Sequence, residues 1–110
     1  MSSEKDNWFI EHFDSAGTAF GLRLKRKLES VQTDYQHIEM WDTDTFGYLM
    51  TIDGATMLTT RDNFLYHEMM AHPALFSHAA PRNVLIIGGG DCGTLREVLR
   101  HGEVASAVQI

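Results

Sequence analysis

In the stretch NVLIIGGGDCGTLREVL, residues 83–99, Gly88, Gly90 and Gly93 fall on the spacing G-x-G-x-x-G, with Gly89 between the first two. An apolar run precedes the glycines and a helical pattern follows, the setting in which such a turn holds a nucleoside-containing ligand. Missing side chains let the ligand lie against the backbone, and a helix start offers amide donors with partial positive charge. The motif serves dinucleotide-binding oxidoreductases and nucleoside-binding transferases alike. Asp91 narrows the choice, because a carboxylate inside the turn repels a pyrophosphate and attracts a sulfonium or an amine. The acid that grips a ribose in such folds follows about 20 residues after the first glycine, close to Ile110.

Other clusters promise less. A metalloprotease helix needs histidines four apart so that both face the ion. In HEMMAH, His67 and His72 are five apart, about 140° round a helix, so no metal site is expected. Glu68 and His72 share a helix face as an ordinary surface pair. Cys92, inside the turn, is expected to pack or to touch a ligand rather than act as a nucleophile, and no Ser-His-Asp or Cys-His set is legible.

The elements that must position the turn come in two groups. WFIEHF suggests a short strand, and Leu22 and Leu24 alternate as in another. The run RLKRK reads as a solvated strand face. YQHIEMW alternates over residues 35–41, with Gln36, Ile38 and Met40 on one face. YLMTI is a further strand, and Asp53-Gly54 fits a tight hairpin before TMLTT. The result is an antiparallel meander.

From Asp62 the pattern turns helical, with Asp62 as cap and Phe64, Leu65, Met69 and Met70 as the apolar stripe. Pro73 should stop or bend this helix, with a shorter piece over residues 74–79. The unbroken apolar run 84–87 predicts a strand covered on both faces in a parallel sheet. Thr94 and Glu97 have capping-box spacing, Leu95, Val98 and Leu99 form a stripe, and Gly102 ends the helix. VASAVQI opens a second strand. The chain therefore reads as α/β, with a small antiparallel β-domain over residues 1–60 and one strand-helix-strand unit over 61–110.

Nine basic against fifteen acidic residues, a net charge of −6, argue against a nucleic-acid binder and favour a cationic partner. One cysteine excludes an internal disulfide and suits a reducing compartment. There is no signal-like start and no apolar window approaching ~20 residues, so a soluble, cytoplasmic protein without membrane contact is expected.

Set in order, these pieces resemble the spermidine synthases, the polyamine aminopropyltransferases. The matching residues are Tyr35 and Gln36 in YQHI, FG…L…IDG from Phe46 to Gly54, T..D.F.YHEM from Thr59 to Met69, His72-Pro73, and VLIIGGGD.G..REVLRH. The resemblance implies a Rossmann-like, methyltransferase-type second domain, here truncated. It also implies transfer of an aminopropyl group from decarboxylated S-adenosylmethionine to putrescine, giving spermidine and 5′-methylthioadenosine without metal or redox cofactor. It assigns Gln36 to the sulfonium nucleoside, His67 and Asp91 to the polyamine, Tyr66 to orienting the attacking amine, and Gly88, Gly89, Gly90 and Gly93 to the nucleoside-binding turn. A homodimer or homotetramer is implied for the full-length enzyme.

Three positions depart from the family pattern. Met57 stands where glutamine is usual, Asn63 where glutamate is usual, and Cys92 where a smaller residue is expected. The family's ribose acid and catalytic aspartate fall beyond residue 110, so the 110 residues alone are expected to show little or no transferase activity. The alternatives are an S-adenosylmethionine-dependent methyltransferase and a non-catalytic oligomerisation fragment.

Overall fold

The computed structural model describes residues 7–110, which form two compact units, one ending at Asp62 and the other running Asn63–Ile110. The first is a five-stranded antiparallel meander in chain order: β1 (Trp8–Phe13), β2 (Thr18–Gln32), β3 (His37–Thr43), β4 (Tyr48–Ile52) and β5 (Ala55–Thr59). The first part of β2 pairs with β1 and the second with β3, and register shifts at Leu24/Arg26 and Lys27/Glu29 bend the strand between its two partners. Leu22, Leu24 and Leu49 form the buried core, with Phe9, Trp41 and Phe46 packed against it. The basic run is a solvated face as expected: Arg23, Arg26 and Lys27 pair with Asp44, Asp42 and Glu39.

Local chemistry fixes the hairpins. Asp53 and Gly54 both have positive φ, 51° and 77°, the backbone of the two-residue turn that matches strand twist. Asp53 Oδ1 accepts the His37 amide hydrogen at 2.8 Å. The strand anticipated over residues 35–41 starts later, at His37. Tyr35 is exposed, and Gln36 closes the β2–β3 turn, its amide donating to Thr33 Oγ1 at 3.0 Å. Thr33 wins these residues for a turn by bonding the backbone locally.

In the second unit, α1 (Asn63–Ser77) leads to β6 (Asn83–Ile86), and α2 (Gly93–Val98) connects β6 to the parallel strand β7 (Ser106–Gln109). Ala71, Leu75, Ile86 and Val98 make the core, joined by Val84, Leu95, Val104 and Ala107. Both helices thus cover one face of the β6–β7 pair. The expectation of a strand buried on both sides fails here: Leu85, Ile87, Val108 and Ile110 point outward and are exposed. A single crossover covers only one face of a sheet.

Expectations for both helices also need correction. The buried face of α1 is His67, Ala71 and Leu75, whereas Phe64, Leu65, Met69 and Met70 are exposed. The helix is apolar on several sides, so the stripe was ambiguous, and the small Ala71 settles which side packs closely. Pro73 neither stops α1 nor starts a new piece; the helix runs through it to Ser77, because Ala71 and Leu75 anchor both sides to the core against one lost backbone bond. In α2 the capping box does not form, since the N-cap is Cys92 without a side-chain cap bond. Thr94 and Glu97 are buried instead, Leu99 is exposed, and the helix ends at Val98 rather than at Gly102.

Candidate functional site

The glycine turn leaves β6 through Gly88 and Gly89, both at positive φ, where a side chain would be strained. Gly88 donates its amide hydrogen to Ile110 O at 2.7 Å, and Gln109 Nε2 donates to Gly88 O and Gly89 O, so β7 braces the turn. Cys92 also adopts the left-handed region, φ 64°, while its amide donates to Gly89 O. Its thiol is exposed and lies 3.7 Å from Gly90 O. The amides of Gly88, Cys92 and Gly93 are all committed inside the protein, which leaves fewer donors for a phosphate than the bare motif suggests.

Asp91 takes the Gly93 amide. Its Oδ1 accepts that N–H at 2.7 Å and also lies 2.9 Å from Nε2 of His67. His67 is buried, 2% exposed. Its Nε2 is within ion-pair reach of Asp91 but out of line for a hydrogen bond, whereas Nδ1 is 3.1 Å from Asn63 Oδ1. Gly93 exists for this ring: a Cβ there would lie closer than 3.0 Å to Cε1, Nδ1 and Nε2 of His67. Gly90, by contrast, has open space where its Cβ would be. Thus the structure joins His67, Asp91 and Gly93 into one assembly. Tyr66, half exposed, meets the His67 ring edge-on at 5.6 Å between centroids. Gln36 belongs to the other unit, where its side-chain amide makes no hydrogen bond among the described residues, and Met57 is exposed on β5.

A second network, barely marked in the sequence, ties α1 to α2. Glu97, 3% exposed, receives Arg96 Nε at 3.2 Å and Arg100 Nη1 at 2.9 Å. His72 Nε2 stands 3.2 Å from the same Oε2, and His72 Nδ1 is 2.8 Å from His101 Nε2. Burial pushes the Glu97 carboxyl up, but the hydrogen bonds and charges of Arg100 and Arg96 outweigh it and hold the group below the usual carboxylate range. Glu68, His72 and Glu97 bring one ligand atom each within 4.8 Å of one another. Two guanidinium groups already occupy the Glu97 carboxylate, so a divalent ion would have to compete with them for it. The only legible hint of the network was the Glu97 flanked by arginines, which the capping-box reading assigned elsewhere. A cavity of about 640 Å³ opens near the C-terminal ends of α1 and α2, lined by His72, Phe76 and His101 among others, and no turn residue borders it.

Among the described residues, no helix is long and apolar enough to cross a membrane.

Comparison with known proteins places both units of the chain in one family. Residues 7–60 match the family model described as the spermidine synthase tetramerisation domain, and residues 63–110 match the spermine/spermidine synthase domain. A polyamine aminopropyltransferase of Xanthomonas campestris pv. campestris (strain B100) is 63% identical over 107 residues, covering 97% of this chain and 38% of that protein. One from Stenotrophomonas maltophilia (strain K279a) is 59% identical over the same length and share. A crystal structure of spermidine synthase in complex with the transition state analogue AdoDATO superposes with a TM-score of 0.88 at 42% identity, over 93% of this chain and 35% of that one. Spermidine synthase from Thermotoga maritima gives 0.87, also at 42% identity, over 93% of this chain and 36% of that one. The chain spans 38% of the length of the curated relatives it matches. With both of its units matched in order, the chain belongs to the spermidine synthase, or polyamine aminopropyltransferase, family and corresponds to its N-terminal portion.

Proposed function

We propose that this chain supplies the amine-facing part of an aminopropyl-transfer site. The observation that carries the reading is the Asp91 carboxylate fixed on the glycine turn, with Oδ1 held by the Gly93 amide beside the His67 ring and Oδ2 left over. A fixed anion at a nucleoside-binding turn suits a nucleoside bearing a sulfonium, together with an amine. In the reaction, the nitrogen lone pair of putrescine attacks the carbon next to the positive sulfur of decarboxylated S-adenosylmethionine. The carbon–sulfur bond breaks with its electrons going to sulfur, 5′-methylthioadenosine leaves, and the new ammonium loses a proton to a base. Asp91 draws the cationic chain and Tyr66 orients the attacking nitrogen. The glycine turn lets the nucleoside approach the backbone, and water exclusion and alignment supply much of the rate. No metal or redox cofactor takes part.

On this reading the first unit is an assembly element of a cytoplasmic homotetramer or homodimer, consistent with the tetramerisation-domain match over residues 7–60.

The test is a titration of the chain with putrescine and, separately, with 1,4-butanediol, which has the same length and no charge. Putrescine should bind selectively, and Asp91→Asn should weaken it roughly tenfold to a hundredfold. Equal binding of the diol, or an Asp91→Asn chain that binds as before, refutes the reading. Preference for S-adenosylmethionine over its decarboxylated form would point to methyl transfer instead.

A further inference from the structure

We propose that Glu68, His72 and Glu97 form a zinc site that clips α1 to α2, with the His72 ring as its central ligand. Glu68 and His72 stand four apart on α1 and so share a helix face, and Glu97 meets them from α2. One ligand atom of each lies within 4.8 Å of the other two. His72 Nε2 is 3.2 Å from Glu97 Oε2, close to the separation of roughly 3.3 Å between two donors on a tetrahedral ion with bonds of about 2.0 Å. Ligation through Nε2 leaves the hydrogen of the ring on Nδ1, and His101 Nε2 stands 2.8 Å from that atom to accept it. Such a partner behind a ligating imidazole is what orients the ring at metal sites. Glu68 gives a second, independent sign. Its carboxylate makes no hydrogen bond or ion pair among the described residues, yet it sits beside the carboxylate of Glu97. Two like charges so close are costly unless a cation joins them.

The two guanidinium groups do not close the site. Arg96 takes Oε1 of Glu97 and Arg100 takes Oε2, so only Arg100 stands where the ion must bond. Its side chain is 64% exposed, and an ion pair made by so exposed a side chain is weak. A bound divalent ion neutralises Glu68 as well as Glu97, which Arg100 does not. One imidazole and two carboxylates suit zinc or cobalt(II), whereas calcium seeks six to eight oxygens and copper(I) seeks sulfur. Three protein ligands leave the fourth position to water. The site is a clip within the second unit and no part of the transfer chemistry: no residue of the glycine turn belongs to it, and it does not rest on the function proposed above.

The experiment titrates the untagged 110-residue chain with cobalt(II), whose visible absorption bands report four-coordination, and then adds zinc to displace it. A single ion per chain should bind with the four-coordinate bands. Glu68→Gln and His72→Ala should each weaken binding roughly tenfold or more, and His101→Phe, which removes only the partner behind the ring, about tenfold to a hundredfold. His78→Ala and Cys92→Ser remove donors outside the site and should change nothing. Zinc should also raise the melting temperature of the wild type but not that of Glu68→Gln. Cobalt that binds without the four-coordinate bands, that binds wild type and Glu68→Gln alike, or that is lost in His78→Ala or Cys92→Ser is an adventitious ion only and overturns the proposal. So does the absence of binding below millimolar cobalt. If His72→Ala no longer folds, Glu68→Gln carries the test, since the Glu68 carboxylate bonds nothing among the described residues that folding would lose.

Discussion

Gly93→Ala isolates the contact on which the site is built. The new methyl carbon would sit closer than 3.0 Å to three atoms of the buried His67 ring, and ordinary contact begins only beyond 3.4 Å. The ring cannot simply swing away, because Asn63 holds one nitrogen and Asp91 faces the other. Overpacking of this kind costs about 1–3 kcal/mol, and losing the His67–Asn63 hydrogen bond adds about 0.5–1.5 kcal/mol. Alanine in place of helical glycine returns only about 0.5–1 kcal/mol, so the net loss is about 1–4 kcal/mol. Thermal unfolding followed by circular dichroism should show a fall on the order of 10 °C or more. Gly90→Ala is the control, since Gly90 has neither positive φ nor a neighbour where its Cβ would lie; it should stay within about 0.5 kcal/mol. Adding His67→Ala to Gly93→Ala removes the obstacle, and the double-mutant cycle should return a coupling of about 1–3 kcal/mol. Equal melting temperatures for Gly93→Ala and Gly90→Ala, or additivity in the cycle, would refute the claim that Gly93 serves His67.

Further expectations concern the two cores and the second network. Leu49→Ala, at a fully buried position, should cost about 2–5 kcal/mol in urea unfolding, while Leu85→Ala on the exposed face of β6 should stay below about 1 kcal/mol. Because Arg100 and Arg96 hold the Glu97 carboxyl below its ordinary range in the folded chain, its contribution is complete above the unfolded value of about 4.3 and fades as pH falls through the lower folded value. Urea midpoints from pH 6 to pH 3 should therefore drop less steeply for Glu97→Gln than for the wild type; parallel curves would contradict the ion-pair assignment.

Legibility in the sequence follows how local each cause is. Asp53-Gly54 reads as a tight turn because the two residues carry the required backbone themselves, and the paired strands then follow by alternation. β6 and the glycines announce their order just as directly. The face of α1 was hidden because Phe64, Leu65, Met69, Met70 and Phe76 ring the helix with apolar surface, and only the packing of Ala71 and Leu75 against Ile86 and Val98 chooses among them. Pro73 misled for a related reason: one missing hydrogen bond weighs less than the core contacts on either side. The left-handed backbone of Cys92 is what glycine usually marks, so a residue other than glycine concealed it.

Asp91 was legible because one charge among glycines has an electrostatic meaning wherever the ligand lies. What holds Asp91 was not, since His67 reaches it from another element, and a glycine motif does not say whether an absent side chain makes room for a ligand or for the protein itself. Gly93 makes room for the protein. Arg96 then links the two halves of the unit: its Nε meets Glu97 Oε1 while its Nη2 meets Asn63 Oδ1. The guanidinium that neutralises the buried Glu97 also bonds the amide that bonds His67, and the His67 ring lies against the carboxylate of the turn. A change in how α2 packs on α1 must therefore move the charge offered at the turn, even with every turn residue left in place.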